Sequence, residues 1–518
     1  MAPSLSDSLL SLLRSDKSAQ KRDIDVTFEA AIVSNAAEIN SIGTQAATAA
    51  ATARAGYVCL ASELIFGAHV ITPSSSDYTT EEDVNWSTTC RLPANCFIKI
   101  QSNIHLALAL KLITTLGSTF AVRSGGHSPN PGFASVDKTG VLLDLSPLNQ
   151  ISLSSDKTTA LVGTGARWID VYTTLETEHL TVVGGRVSDV GVGGLILGGG
   201  MSHFSNFWGM PADNVKNFKV VLADSTIVNA NAHTNADLFK ALKGGGPNFG
   251  IVTEFELYTY PNYQVWYTFN VYSAADSAAV LTAASSVEAA MNNDKHAGFF
   301  LTSASGMFVA GFVYLGWQST TPAAYSAFSS ITPLAVAVPI TNGTASSVSI
   351  AANAPGTAKR VCGTVAVNTN ATLYEELVDA YNTVATSANV SSDYSIVFTF
   401  QPLGAASVAQ SNVKGGNVMG VTPVSQAVLS LAVTWTADTE DATAKAQINS
   451  LISSLRSTAS ARGELLAFQF MNDAGYQQDP LKSYGTTNLA TIQAVAKKYD
   501  PNAVFQTLQN SGFKLSKA

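Results

Sequence analysis

Glycine is concentrated in four clusters between residues 123 and 252, and these clusters limit the possible folds more than any other feature of the chain. The clusters are RSGGH (123–127), VGTGARW (162–168), VVGGRVSDVGVGGLILGGG (182–200) and KGGGPNFGIV (243–252). Glycine lets backbone N–H groups approach a bound group closely. Four such clusters in a short stretch therefore predict a large anionic cofactor that contacts the backbone at several points.

The common nucleotide-binding motifs are missing from these clusters. None of them matches G-x-G-x-x-G, and no Walker loop ends in Gly-Lys-Ser/Thr. The G-x-S-x-G motif of α/β hydrolases is absent as well. The sequence thus predicts a dinucleotide site that is not of the Rossmann type.

The first cluster places His127 after two glycines and before a Ser-Pro-Asn-Pro turn. A strand-like run from Phe120 leads into this loop, so the imidazole is expected at the tip of a tight turn. Such a loop can grip an anion, and the histidine can serve as a ligand, a base or a nucleophile. For an isolated stretch of this kind, a solvent-exposed turn histidine is the alternative.

Composition excludes several classes of function. The 518 residues are 46% hydrophobic and 13% charged, which is typical of a large folded protein with two or three domains. A net charge of −8 without a basic cluster argues against a nucleic-acid partner. No apolar run is long enough to cross a membrane, and no His/Cys spacing is typical of a structural metal.

The changes in composition and hydrophobic pattern along the chain predict an α+β fold in four parts. Residues 1–85 are Ala/Ser-rich and expected to be mainly helical, and residues 86–263 alternate short strands and helices, including a β-hairpin in NFKVVLADSTIVNA. Residues 264–470 carry long aromatic-rich strands and predict one large antiparallel sheet with helices on one face. Residues 471–518 form a C-terminal segment with an amphipathic helix.

The location of the protein stays open at this stage. Asn-x-Ser/Thr sequons begin at Asn85, Asn342, Asn370 and Asn389, and together with four cysteines they favour a glycoprotein of the secretory route. In contrast, the N-terminus lacks the basic region and the long apolar core of a signal peptide, which favours the cytoplasm.

Five motifs resemble one known family in both order and spacing. They are RSGGH, GVGGLILGGG, GMPADNV, KGGGPNFGIVTEFEL and the C-terminal stretch from QDPLKSYGTTN to the end. Together they resemble the berberine-bridge-enzyme-like FAD-linked oxidases of the vanillyl-alcohol oxidase superfamily, in a fungal branch similar to 6-hydroxynicotine oxidase. The resemblance covers residues 85–518. It implies a PCMH-type FAD-binding domain of two subdomains at 86–263 and a substrate domain at 264–470.

The resemblance also implies how FAD is held. His127 would bond covalently to the 8-methyl carbon of the flavin ring. Val187 stands where many relatives have a second attaching cysteine, so the attachment should be single, and Val190 stands where a small residue gives O2 access to the reduced flavin. The residues expected to contact FAD are Arg123, Ser124, Gly125, Gly126, His127, Ser128, Val187, Val190, Gly191, Gly193, Gly194, Gly198, Gly250, Ile251, Val252, Tyr484 and Asn488.

Proton chemistry is assigned to the C-terminal segment. Asp473 stands in NDAGYQQDP where many relatives have a tyrosine, and a buried carboxylate there would be a suitable base. A solvated turn aspartate is the alternative. Tyr476, three positions later, and Tyr484 are the other candidate catalytic residues.

The resemblance further implies a Cys59–Cys96 disulfide, with Cys90 and Cys362 free. The expected function is an oxidase that moves hydride from an alcohol, an amine or an activated C–H group to covalent FAD and reduces O2 to H2O2. An oxidative cyclase or desaturase of a fungal secondary-metabolite pathway and an inactive flavin-binding-fold protein are the alternatives. The expected partners are a small organic substrate and O2, the expected oligomeric state is a monomer, and no metal is expected.

Overall fold

The computed structural model describes residues 3–15, 23–304, 306–353 and 356–518. The chain begins with helices α1 to α4, which span Leu5–Ser15, Asp23–Ser34, Ala36–Thr48 and Arg54–Phe66. Their apolar faces pack against the first sheet and share one core with it. A disulfide joins Cys59 in α4 to Cys96 in that sheet, while Cys90 and Cys362 are free and buried.

The first sheet brings the chain to the His127 loop. Its strands are β1 (Val70–Ile71), β2 (Cys96–Lys99), β3 (Thr119–Arg123) and β4 (Gly140–Asp144), with helices α5 (Tyr78–Glu82) and α6 (Asn103–Leu116) between them. The strand order is β1-β2-β4-β3, and β4 runs parallel to both β2 and β3. All five residues of β4 are buried, as expected for a parallel strand covered on both faces.

The second sheet carries the other glycine clusters. Its strands are β5 (Ile151–Leu153), β6 (Thr159–Gly163), β7 (Thr181–Val182), β8 (Val215–Val221), β9 (Ile227–Asn231) and β10 (Ile251–Tyr260). Helices α7 (Trp168–Glu176), α8 (Val192–Leu197), α9 (Ser205–Trp208) and α10 (Ala236–Leu242) connect them. The order is β5-β6-β10-β8-β9, with β7 also paired to β10. The predicted hairpin is confirmed, because β8 and β9 pair antiparallel around a tight turn.

The third sheet has eight strands in the order β14-β11-β13-β12-β16-β17-β15-β18. The strands are β11 (Gln264–Ser273), β12 (Ala297–Ala304), β13 (Met307–Leu315), β14 (Ala335–Thr344), β15 (Lys359–Asn368), β16 (Ser395–Leu403), β17 (Gln426–Trp435) and β18 (Leu465–Leu466). The intervening helices are α11 (Ser277–Met291), α12 (Ala345–Ala351), α13 (Ala371–Ala385), α14 (Ala405–Val413) and α15 (Asp441–Ala461). Every ladder in this sheet is antiparallel.

Alternation along the strands decides what each face of the third sheet contacts. In β17, Leu429 and Leu431 point into the core formed with helices α11, α13 and α15. Their neighbours Ser430 and Ala432 face the opposite side and line a cavity. The predicted large antiparallel sheet with helices α11, α13 and α15 on one face is therefore confirmed, and β17 on its other face lines the cavity.

The C-terminal segment packs on both earlier sheets. Helices α16 (Pro480–Ser483), α17 (Thr486–Tyr499) and α18 (Val504–Thr507) follow β18. Ile492 of α17 is fully buried in the core of the second sheet, and Phe505 of α18 is buried in the core of the first. Phe120 of β3 also exchanges backbone hydrogen bonds with the residues on either side of Gln509.

One of the four glycosylation sequons is buried. The side chain of Asn85 is 2% exposed, and its amide donates a 2.6 Å hydrogen bond to the carbonyl of Cys90. In the folded chain, an amide that is enclosed and bonded in this way has no room for an attached glycan, so Asn85 lends no support to a glycoprotein.

Helices in the described part of the chain lack the combination of length and hydropathy that a bilayer span requires.

Candidate functional site

A cavity of about 460 Å³ lies where the first two sheets meet the face of the third that is opposite helices α11, α13 and α15. On one side its walls come from the loop after β3, the turn before α8 and the start of β10. On the other side they come from β15, β17 and the segment after β18. This volume is within the range of cofactor and small-molecule sites.

Most of the residues expected to contact the cofactor share this cavity. Three chain segments bring them together, although the first and the last of these are more than a hundred positions apart in sequence. The expected residues that line the cavity are Ser124, Gly125, Gly126, His127, Ser128, Val187, Val190, Gly191, Gly193, Gly194, Gly198, Gly250, Ile251 and Val252.

Arg123 is an exception within the same loop. Val122 and Ser124 line the cavity, whereas Arg123 lies between them on a strand and points to the opposite face. Its guanidinium is buried, donates a 2.9 Å hydrogen bond to the carbonyl of Glu81 and pairs with the Glu81 carboxylate. The expectation that Arg123 contacts the cofactor is therefore wrong, because strand alternation turns it into a support beneath the loop.

The ion pairs beneath the loop form a small network. Asp144, at the end of β4, lies 3.6 Å from the Arg123 guanidinium and is also paired with Lys99. Burial acts to raise the pKa of Asp144, but the charges of Arg123 and Lys99 outweigh it and lower that pKa. Asp144 is therefore a buried anion matched by two cations, which holds the ends of β3 and β4 together.

Two glycine clusters touch through their backbones. A Cβ added to Gly125 would lie 2.5 Å from the Cα of Gly191, and one added to Gly191 would lie 2.6 Å from the Cα of Gly125. Real Cβ atoms do not approach other atoms this closely, so both positions require glycine. The contact fixes the RSGGH loop against the turn that leads into α8.

Gly194 marks the side of this contact that is open. A Cβ at Gly194 would meet nothing within 4 Å, whereas the neighbouring Gly193 is packed against Ser124 and Thr164. Gly194 lines the cavity, so its open space belongs to the cavity. A concave wall lined by the RSGGH loop, the α8 turn and Gly250 fits the extended anionic cofactor that the sequence predicts.

His127 is held on two sides. Its ring stacks on Trp86 with centroids 4.2 Å apart and planes inclined by 15°. Its Nε2 lies 3.5 Å from Oδ1 of Asp189, and 23% of its side chain is exposed. The ring is therefore fixed in plane and direction while remaining accessible from the cavity.

The opposite wall presents a carboxylate. Asp473 lines the cavity, and its Oδ2 accepts a 2.6 Å hydrogen bond from Nε2 of Gln401. Arg186, which also lines the cavity, donates to Oε1 of the same glutamine, and the second Nε2 hydrogen goes to the carbonyl of Val428. All polar atoms of the Gln401 side chain are thus occupied, and its amide has one orientation.

This arrangement tunes Asp473. Burial raises the pKa of Asp473, while the hydrogen bond from Gln401 and the charge of Arg186 oppose that effect. The carboxylate is accordingly a stronger base than an exposed aspartate and is still held as a hydrogen-bond acceptor. The alternative of a solvated turn aspartate does not fit its enclosed position.

The other residues proposed for catalysis lie outside this cavity. The side chain of Tyr476 is 45% exposed at the surface. Tyr484 is buried, and its hydroxyl donates a 2.9 Å hydrogen bond to the carbonyl of Gly244. Asn488 donates to the carbonyl of Tyr484 and lines a smaller cavity near α14. These three residues do not line the main cavity, and their expected roles in catalysis and FAD binding stay predictions.

Five residues of the site were missed at the sequence level. Asp189 and Arg186 both lie within the glycine-rich stretch around GRVSDVGVGG, so their proximity to Val190 could have drawn attention to them. No motif in the sequence singles out Trp86, Arg360 or Gln401. The guanidinium of Arg360 lies 4.0 Å from the Trp86 ring, a contact between residues 274 positions apart.

Comparisons with known proteins agree with this geometry. Residues 94–231 match the family described as FAD binding domain. The chain is 35% identical over 458 residues to the FAD-dependent monooxygenase yanF of Aspergillus niger. The matched region covers 88% of this chain and 78% of the relative.

Solved structures of oxidases share the fold. 6-Hydroxy-D-nicotine oxidase from Arthrobacter nicotinovorans matches with a TM-score of 0.74 and 20% identity, covering 87% of this chain and 98% of the other. Glucooligosaccharide oxidase from Acremonium strictum, described with 6-S-cysteinyl, 8α-N1-histidyl FAD, matches with a TM-score of 0.72 and 18% identity over 86% of this chain and 97% of the other.

Proposed function

The chain belongs to the family of FAD-dependent oxidoreductases that includes the Aspergillus niger enzyme, and from this premise we propose that it is an oxidase. Its substrate would be a small organic molecule oxidised at an alcohol, an amine or an activated C–H group. The oxidant would be O2, and the second product would be H2O2. The observation that carries the proposal is the single cavity shared by the His127 loop and the Asp473 carboxylate.

Asp473 has the properties of the base. The chemistry supplied by bound FAD is acceptance of a hydride from the substrate and reduction of O2. Loss of a hydride from carbon requires that a proton leave the neighbouring O–H, N–H or C–H group. Asp473 would take that proton at its cavity-facing oxygen, while Gln401 holds Oδ2 and fixes the direction of the carboxylate.

His127 is the residue that would carry FAD. Its ring faces the cavity, is stacked on Trp86 and is the only part of the RSGGH loop with a nucleophilic nitrogen. The Acremonium strictum oxidase of the same fold is described with a histidyl FAD, which supports such a bond here. The side chain at the position of the second, cysteinyl bond is Val187, so the attachment would be single.

An oxidase and a monooxygenase both consume O2. The name of the Aspergillus niger relative favours a monooxygenase reaction. Val190, which lines the cavity beside the RSGGH loop, favours an oxidase reaction, because a small side chain leaves room for O2 to reach the flavin. An oxidase product contains no oxygen atom from O2, whereas a monooxygenase product contains one. An oxidative cyclase or desaturase would also release one H2O2 for each O2 consumed and would put no oxygen atom from O2 into its product. It would differ from a simple oxidase only in the carbon skeleton of that product.

The test is a screen of alcohols, amines and activated C–H compounds with H2O2 measured by a coupled peroxidase. We expect one H2O2 for each substrate oxidised and no label in the product when the O2 is isotopically labelled. Label in the product would favour the monooxygenase outcome. Asp473→Asn should lower the rate of flavin reduction by at least about a hundredfold, as expected for loss of a general base. The matched control is Asp276→Asn, which changes an exposed aspartate between strand β11 and helix α11.

The attachment is tested by acid precipitation. The wild-type pellet should stay yellow, and His127→Ala should bind FAD and release it on denaturation. A colourless pellet from wild-type protein that had contained FAD would refute the covalent bond and leave the oxidoreductase assignment untouched.

We also propose that residues 1–85, 86–263, 264–470 and 471–518 are the structural units, in a monomeric protein. The support is that all eight strands of the third sheet lie between residues 264 and 466. Size-exclusion chromatography with light scattering checks the monomer, and limited proteolysis checks the boundaries.

A further inference from the structure

The carboxylate of Asp189 faces the ring of His127, and its Oδ1, which is buried, has no other hydrogen-bonding partner. We propose that Asp189 is the positioning residue for flavin attachment: it holds the proton of His127 on Nε2 and so presents Nδ1 as the nucleophile. The proposal rests on the proposed attachment through His127.

The geometry assigns the two ring nitrogens different roles. Oδ1 of Asp189 lies 3.5 Å from Nε2, which is the edge of hydrogen-bonding distance. A neutral imidazole has its proton on one nitrogen and its available lone pair on the other. The hydrogen-bond acceptor beside the ring decides which nitrogen carries the proton. With Nε2–H directed at Asp189, the lone pair is on Nδ1.

Asp189 is suited to this task because it is ionised and fixed. The contact with His127 lowers the pKa of Asp189 and outweighs the effect of burial. Its backbone carbonyl accepts a hydrogen bond from Arg167, which anchors the turn that carries it. A carboxylate held in this way accepts a proton and cannot donate one, so the opposite tautomer of His127 is disfavoured.

Trp86 fixes the remaining freedom of the ring. Stacking at 4.2 Å sets the plane of the imidazole, and the backbone N–H of Trp86 donates a 3.0 Å hydrogen bond to the carbonyl of Gly126. The guanidinium of Arg360 covers the Trp86 ring and donates a 2.6 Å hydrogen bond to the carbonyl of the same residue. Trp86 is thus held by both the loop and strand β15 of the third sheet.

The covalent step balances with these groups. A bond forms between Nδ1 and the 8-methyl carbon, and a C–H bond of that methyl group breaks. The methyl group and the imidazole each lose one hydrogen, and the proton that leaves Nε2 is accepted by Asp189 and passes to solvent, since 36% of the Asp189 side chain is exposed. O2 accepts the two electrons and two protons as H2O2.

The experiment measures attachment rather than turnover. Full-length wild type, Asp189→Ala, Asp189→Asn and the control Asp276→Ala are incubated with FAD, and the flavin retained after acid precipitation is followed over time. We expect Asp189→Ala to attach flavin at least about tenfold more slowly, as for loss of a hydrogen bond to a charged group. Asp189→Asn, whose side-chain oxygen still accepts from Nε2, should fall between Asp189→Ala and wild type, and Asp276→Ala should match wild type.

Fluorescence quenching by reversible binding shows whether each variant has folded and taken up FAD before attachment. Attachment by Asp189→Ala at the wild-type rate would overturn the role of Asp189 and leave the bond to His127 intact. Wild-type protein that binds FAD but never retains it would overturn both, and the two failures are thereby distinguished.

Discussion

Replacing Gln401 by methionine should move the acid limb of the pH–rate profile to higher pH. Gln401 donates a 2.6 Å hydrogen bond to Oδ2 of Asp473, and this bond favours the ionised carboxylate. Methionine has a similar length and no donor, so the carboxylate stays buried and loses one of the three interactions that oppose burial, which come from Gln401, Arg186 and Ser430. The pKa of Asp473 is already raised by burial, and the change raises it further.

The size of the shift follows from the lost bond. A hydrogen bond to a charged group contributes about 1.5–3 kcal/mol, and one pKa unit corresponds to about 1.4 kcal/mol. The pKa of Asp473 should therefore rise by roughly 1–2 units. Because the base must be unprotonated, kcat/KM rises with pH through this pKa, and the variant should reach its plateau at correspondingly higher pH.

The assay is the pH dependence of anaerobic flavin reduction by an accepted substrate. At pH well above the limb, the variant should approach the wild-type rate, since the base is then ionised in both proteins. Gln426→Met removes a buried amide outside the lining of the main cavity and serves as the control. A variant with an unchanged acid limb, or with a uniform loss of rate at every pH, would refute the assignment of Asp473 as the base tuned by Gln401.

Three further outcomes are expected. Gly191→Ala should lower FAD occupancy and thermal stability, because its Cβ would lie 2.6 Å from the backbone of Gly125 and overpacking costs about 1–3 kcal/mol; normal flavin content would contradict this. Val190→Leu should slow reoxidation of the reduced flavin in air and leave anaerobic reduction nearly unchanged, as stopped-flow absorbance can show. Cys59→Ala should remove about 4 kcal/mol of stabilisation from a disulfide that spans 37 positions, seen as a lower melting temperature in scanning calorimetry; an unchanged melting temperature would contradict it.

Local motifs allowed the cofactor wall to be predicted from the sequence. Gly125 and Gly191 were recognisable because close backbone contact demands glycine whatever the rest of the chain does. Arg123 lies in the same motif and was misassigned, because the face that a strand residue presents depends on its register in the sheet. The disulfide between Cys59 and Cys96 was expected from the resemblance and is present in the structure.

The cavity wall opposite the glycine clusters was harder to predict because its contacts are between distant parts of the chain. Asp473, a candidate base from the sequence, lines the cavity, but its partner Gln401 is 72 positions away and Arg186 is 215 positions from that glutamine. The role of Tyr484 stays a prediction, because a buried tyrosine can bond a backbone carbonyl as well as a ligand, and in the structure its hydroxyl donates to the carbonyl of Gly244. Sequence spacing holds no information on such choices.

The cavity is walled on one side by the glycine clusters and on the other by strands β15 and β17 of the third sheet. Any molecule that fills it contacts both, so its binding free energy also contributes to the association of the two halves. For a reversible ligand this contribution depends on concentration and reaches about 4 kcal/mol at a thousand times Kd. A flavin bonded to His127 cannot be diluted away, so the junction between the halves would keep the same strength whether free flavin is scarce or abundant.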